Sequence, residues 1–208
     1  LFQHEPYCSR DCCAGIMSAL SASYDITLIG MRDLNIDFLS NFDLLIFPGG
    51  RGEASQFHTL FRHHADSVRA YVKQGGRYLG ICMGAYWADK DYFNILNDVR
   101  VEQYITQPNT DTRRPHAKNM PVLWENKIEK MFFYDGCALV GNNFKFETIS
   151  RYSNGDPMAI IQNRIGLIGC HPESEKFWYD SYSWMKPHWH HKAHHQLLLE
   201  YVDQLMTR

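Results

Sequence analysis

Residues 44–47, Leu44-Leu45-Ile46-Phe47, form an unbroken apolar run. A run of that length predicts a strand covered on both faces, where each side chain is buried whichever way it points. Upstream, Leu1-Phe2-Gln3 reads as the tail of a first strand. Residues 24–30 alternate as a second, Ile26, Leu28 and Gly30 facing opposite Thr27 and Ile29. Between these two, Ser9 is placed to cap a helix reaching about residue 23, with Cys12, Ile16 and Leu20 on one face at a spacing of four. Residues 33–42 are a less regular connection. Helical spacing returns over residues 54–74, where Val68, Tyr71 and Val72 share a face, and Gly75-Gly76 close it. Tyr78-Leu79-Gly80-Ile81 then reads as another buried strand. Strand, helix, strand, helix, strand implies right-handed crossovers and an α/β fold with a mostly parallel sheet, helices on both faces.

The middle of the chain changes character. Strand signal is weak over residues 92–105, and residues 107–119 read as an exposed polar loop carrying Arg113, Arg114 and His116. Short strands are predicted at 122–124, 130–134, 138–140 and 144–152. Residues 158–162 and 165–169 read as a hairpin turning at Asn163-Arg164. A last helix over about residues 190–206 buries Leu197, Leu198, Tyr201, Val202 and Leu205. No repeat or linker divides the chain, so 1–208 is read as one domain.

Composition narrows the function. With 45% apolar and 21% charged residues and a net charge of −2, the chain gives no reason to expect a nucleic-acid or membrane partner. No apolar stretch is long enough to span a bilayer. The six cysteines, Cys8, Cys12, Cys13, Cys82, Cys137 and Cys170, fit neither a disulfide scaffold nor a paired zinc motif, which points to a reducing, cytoplasmic setting. The start at Leu1 is neither a signal peptide nor an initiation sequence, so residues before it are expected to be missing.

Gly80-Ile81-Cys82-Met83-Gly84-Ala85 has the form of a nucleophile elbow, a strand-to-helix turn that lifts a reactive side chain out of the sheet. A cysteine attacks as thiolate, and the start of a helix favours that charge. His171, at the end of the 165–169 strand, is the candidate base. Glu173, two residues on across Pro172, is its candidate orienter if the segment is extended. The oxyanion hole is expected from backbone, with the Met83 amide after the nucleophile and the Gly50 amide in Pro48-Gly49-Gly50 as donors. Together these residues imply acyl transfer from an amide.

A PGG loop, a GxCxG elbow and a terminal HPE, in that order, resemble the class I glutamine amidotransferase superfamily. The resemblance implies a flavodoxin-like three-layer sandwich and a Cys-His-Glu triad at Cys82, His171 and Glu173. Where those enzymes continue as GxCxGxQ, this chain has Tyr86. The Gly-x-Cys-x-Gly-Ala-Tyr elbow, Gly75-Gly76-Arg77-Tyr78-Leu79-Gly80 and Ser9-Arg10 are more similar to the N-terminal domain of eukaryotic-type biotin-protein ligases and its free-standing relatives. Biotin transfer is not expected, because no ligase catalytic domain is visible. Tyr86 and Arg51 are candidate substrate contacts. A cysteine-dependent amidohydrolase or amidotransferase acting on a small-molecule amide is the first reading, with a catalytically silent binding or assembly module and a cysteine peptidase as alternatives. No cofactor is expected. If ammonia is passed on, a separate synthetase must accept it, because the chain has no GxxxxGK[ST] loop.

Other clusters have plainer readings. His188, His190, His191, His194 and His195 include pairs one helical turn apart, a possible ligand spacing, yet a histidine-rich polar helix face is the simpler expectation. Cys8, Cys12 and Cys13 are read as core and helix-face thiols. Phe177-Trp178-Tyr179, Tyr182, Trp184 and Trp189 either wall the site, form a partner surface or pack the last connection.

Overall fold

A computed structural model describes residues 1–142 and 145–208. The elements are α1 (Arg10–Leu20), α2 (Ile36–Leu39), β1 (Leu44–Phe47), α3 (Phe57–Leu60), α4 (Ala65–Lys73), β2 (Arg77–Ile81), α5 (Met83–Trp87) and β3 (Val99–Gln103). There follow β4 (Lys118–Trp124), β5 (Lys127–Phe133), β6 (Cys137–Gly141), β7 (Glu147–Tyr152), β8 (Pro157–Gln162), β9 (Ile165–Ile168), α6 (Lys176–Asp180) and α7 (Ala193–Met206). No helix among the described residues is long and apolar enough to cross a membrane.

Seven strands form one sheet in the order β1-β2-β9-β8-β7-β4-β5. β1, β2 and β9 run parallel, and the sheet continues antiparallel from β8 to β5. Two further segments extend its parallel side. Phe2 bridges Ile29 in parallel, and its amide donates to the Ile46 carbonyl at 2.9 Å. β3 and β6 form a separate antiparallel pair.

Strand periodicity divides the apolar residues between two cores. Ile46, Leu79, Ile81 and Ile168 face α1 and α7, with Ile16, Leu20, Tyr201 and Leu205. Leu45, Phe47, Tyr78 and Leu167 face the other way, against Phe57, Phe61, Val68 and Trp87. Successive side chains of a strand point to opposite faces, so continuous apolar runs here serve a sheet covered on both sides. The expected α/β three-layer sandwich is present, and its parallel strands meet at one edge.

Several local expectations change. The 54–74 helix is broken: α3 ends at Leu60 and α4 starts at Ala65. Residues 24–30 pair only at Ile29, while Leu28 is 46% exposed, so the inward face is that of Ile29. The 107–119 loop is largely exposed, with Arg113, Arg114 and His116 in solvent, but it buries Thr112 and Ala117 and ends as β4 starts. The strand expected over 144–152 appears as β7 from Glu147; its first position lies outside the described residues. The 165–168 hairpin strand and the helix capped by Ser9, whose side chain accepts from the Cys12 amide at 3.2 Å, are as expected.

One contact ties α1 to the strand-end segment after β9. A Cβ built on Gly15 would lie 2.1 Å from the Glu173 carbonyl oxygen, so only a residue without a side chain lets the helix sit this close. Gly15→Ala is therefore expected to lose about 1–3 kcal/mol in urea unfolding; stability equal to the parent would contradict this close approach.

Candidate active site

Cys82 lies between β2 and α5 with φ +50° and ψ −104°, a backbone conformation that a residue with a Cβ rarely adopts. Its amide is held by the Ile168 carbonyl at 2.8 Å, and its own carbonyl accepts from the Ala85 and Tyr86 amides at 3.0 and 3.1 Å. Strain of this kind persists only where surrounding contacts fix it. Cys82 is 6% exposed, with its Sγ 4.0 Å from the Tyr134 carbonyl. α5 has only five residues, so the helix field expected at the thiol is that of a single short turn.

The neighbouring strand β9 delivers His171 to the same edge. The His171 amide donates to the Phe132 carbonyl at 2.9 Å. The next residues form a turn, closed by the Ser174 amide on the His171 carbonyl at 3.2 Å. This corrects the extended geometry expected for 171–173. Through that turn Glu173 still reaches the ring, with Nδ1 to Oε1 at 2.9 Å. A carboxylate only accepts, so Nδ1 carries the proton and Nε2 is the nitrogen left for another partner. Glu173 is fully buried, and its Oε2 has no partner among the described residues.

Burial acts most strongly on His171 and pulls its pKa down. The Glu173 carboxylate, then the Cys82 thiol and the hydrogen bonds of Cys12 and Cys82, outweigh it and hold the pKa well above 6.5. Phe132 and Trp178 set their rings edge-on to the imidazole, with centroids 6.0 and 5.3 Å away. The aromatic run after His171 thus walls it, while Phe177 and Trp184 stay about half exposed.

Met83 opens α5, so its amide has no acceptor one turn back. A Cβ on Gly50 would fall 2.0 Å from the Tyr7 carbonyl oxygen, so glycine at 50 accommodates residues 6–7 rather than leaving open space for a ligand. Gly49 is the glycine beside the ring: a Cβ there would be 2.5 Å from His171 Cε1. Tyr86 donates its hydroxyl to the Asp135 carbonyl at 3.3 Å, and burial raises its pKa well above 10. The structure thus brings Tyr86 to the turn that also presents Tyr134 to Cys82. Arg51 is exposed, and its amide donates to the Pro6 carbonyl at 2.7 Å.

Cys12 is a site residue that helix spacing did not single out. It is 4% exposed, and its Sγ, a His171 ring nitrogen and a Glu173 oxygen lie within 4.8 Å of one another. The available signal was topological: α1 starts at the carboxyl edge of the parallel strands, and its first turn faces whatever collects there. Burial raises the Cys12 pKa, with the hydrogen bond to His171 opposing it. Asp135 was also missed. Its Oδ2 accepts from Gln103 Nε2 at 2.9 Å, its Oδ1 is buried without a partner among the described residues, and burial raises its pKa.

The histidine-rich segment is not a uniformly polar face: His188 and His191 are exposed and the others turn inward. His194 and His195 are 2% and 4% exposed. His190 and His195 reach the Ser174 carbonyl at 3.1 and 3.2 Å, and His194 approaches Glu129 at 3.4 Å. They pack against the residue that follows Glu173, and burial with the neighbouring rings of His194 and His195 lowers the His190 pKa to about 3. Among the described residues, the group with metal-ligand spacing is Cys12, His171 and Glu173, not these histidines. All six cysteines are free and buried.

The fold is the one seen in solved glutamine amidotransferases. A solved glutamine amidotransferase superposes with a TM-score of 0.66 at 18% identity, covering 94% of each chain. A glutamine amidotransferase from Thermotoga maritima superposes at 0.64 with 9% identity, over 100% of this chain and 96% of that one. At these identities the likeness is one of fold. Within it, residues 5–102 match the family described as Biotin-protein ligase, N terminal. The Biotin--protein ligase of Schizosaccharomyces pombe is 26% identical over 164 residues, 62% of this chain and 25% of that protein. The chain therefore spans about a quarter of the length of this curated relative, and the resemblance read from the motifs holds.

The electrostatics of His171 can be tested directly. Its ring is expected to keep its proton well above pH 6.5 in an NMR titration of the Cε1 proton. The pKa is higher in the fold than in the unfolded chain, so the resulting stability is complete below about pH 6.5 and is lost as pH rises through the folded value. Glu173→Gln removes the strongest raising influence and should lower the midpoint; an unchanged midpoint would contradict the assignment.

Proposed function

We propose that this chain, read as one domain over 1–208, is a cysteine-dependent amidohydrolase of the glutamine amidotransferase type. The observation that carries the reading is the buried His171–Glu173 pair, 2.9 Å apart, in the turn after the strand that pairs with the one leading to a strained cysteine elbow. Cys82 is the nucleophile. It attacks as thiolate, its proton already held by His171: the Sγ forms a bond to the amide carbonyl carbon, and the amides of Gly50 and Met83 receive the oxyanion. Each such donor is worth about 3 kcal/mol in the transition state. As the C–N bond breaks, His171 returns the proton to the departing nitrogen, leaving an acyl thioester on Cys82. Water, deprotonated by His171, then releases the acid and the free thiol. Glu173 keeps the imidazole in the tautomer this requires and stabilises its charged form.

The substrate is a small-molecule amide, glutamine being the first candidate, and Tyr86 and Arg51 border its place. A separate synthetase that receives ammonia is the corresponding protein partner. The reading needs no cofactor, nucleic acid or membrane, and it fits a cytoplasmic protein with free thiols.

A diazo-ketone glutamine analogue should alkylate Cys82, as mapped by peptide mass. His171→Ala should slow that labelling about 10²–10⁴-fold. Labelling by broad thiol reagents alone, with no glutamine turnover, would replace this reading with a catalytically silent binding or assembly module. Turnover of peptides with indifference to glutamine would replace it with a cysteine peptidase.

A further inference from the structure

Cys12 has no part in the proposed chemistry, yet it shares the His171 ring with Cys82. Three donors of different kinds meet there: a thiol, an imidazole nitrogen and a carboxylate oxygen, all within 4.8 Å and all from buried residues. Glu173 Oε2 is buried beside this group with no partner among the described residues. A fully buried carboxylate with an orphan oxygen is costly unless something satisfies it. The space among the donors depends on Gly49, where a Cβ would stand 3.3 Å from Cys12 Sγ and 2.5 Å from the His171 ring.

We infer that Cys12, His171 and Glu173 form a binding site for a thiophilic divalent cation of the zinc class, which holds the enzyme inactive when occupied. Thiolate with imidazole selects zinc and cobalt over magnesium or calcium, which take oxygen ligands. Three protein ligands with one open position are a normal zinc set. Thiolate and carboxylate together neutralise the cation, which suits a buried cluster. Binding releases the Cys12 thiol proton and any proton on the ligating ring nitrogen. The required movement is modest. Donors around a tetrahedral zinc stand about 3.3–3.8 Å apart, so the 2.9 Å contact between His171 and Glu173 opens by a few tenths of an ångström, and a separation as wide as 4.8 Å closes by about 1 Å.

Occupation removes the base whichever nitrogen ligates. A neutral imidazole bound through one nitrogen carries its proton on the other, leaving no lone pair for the Cys82 proton. This inhibitory consequence rests on the proposed triad; the binding itself does not.

Cobalt(II) chloride titrated into the whole chain is expected to give a thiolate-to-cobalt charge-transfer band with one ion per chain, displaced by zinc chloride. Cys12→Ser should abolish the band, Glu173→Gln should weaken binding at least about tenfold, and Cys82→Ser should leave the band in place. Because Cys12→Ser could fail to fold, X-ray absorption of the wild-type zinc complex gives a second reading, one sulfur near 2.3 Å with nitrogen or oxygen near 2.0 Å. Absence of the band, a shell without sulfur, or a band lost only in Cys82→Ser would overturn the site. Zinc should also block diazo-ketone labelling of Cys82. If metal-free protein never labels, the triad fails while the cobalt band still decides the metal site.

Discussion

A carboxylate buried to zero exposure, with an imidazole on one oxygen, constrains everything around it. Glu173 can be kept there only while His171 stays against it, because separating the two leaves a charge in the interior without compensation. Three parts of the fold hold the pair. β9 and the Phe132 carbonyl fix the backbone of His171. α1 comes close enough to touch the Glu173 carbonyl because residue 15 is glycine. His190, just before α7, and His195, in its first turn, grip the Ser174 carbonyl from the other side. Helices from both ends of the chain thus close over two residues near its middle edge.

The same burial gives His171 its electrostatic character. Desolvation alone would make the ring neutral at physiological pH, and the neighbouring carboxylate and thiol reverse that. A ring so disposed toward the charged form suits a partner that gives up a proton and becomes negative. Cys82 on its elbow is such a partner, and a five-residue helix adds little field of its own. In the proposed chemistry the imidazole therefore carries most of the activation.

Much of this was readable before the fold. Leu44-Leu45-Ile46-Phe47 declared a doubly covered strand through apolar continuity, and the 165–168 strand was marked by its hairpin turn. Cys82, His171 and Glu173 could be named because each follows a strand that the pattern identifies. What escaped depends on contacts distant in sequence. The pairing of β4 with β7 leaves no local signature, so the antiparallel half of the sheet could not be ordered. Cys12 has the spacing of an ordinary buried helix residue, and only the meeting of α1 with the 171–173 turn places it at the imidazole. The α7 histidines looked solvated because histidine is polar; their burial is explained by the Ser174 carbonyl and Glu129, which supply partners inside. Residues 171–173 were expected to be extended because Pro172 disfavours helix, but a tight turn meets that restriction equally well.

The central claim is that an acyl group passes through the Cys82 sulfur, and a rapid acid quench read by intact mass tests it most directly. Protein mixed with glutamine and quenched before steady state should carry a glutamyl adduct on Cys82 that hydroxylamine removes. The adduct should be absent from Cys82→Ser, which should also release no ammonia. Ammonia release that persists undiminished in Cys82→Ser, with no adduct on the wild-type protein, would contradict the account.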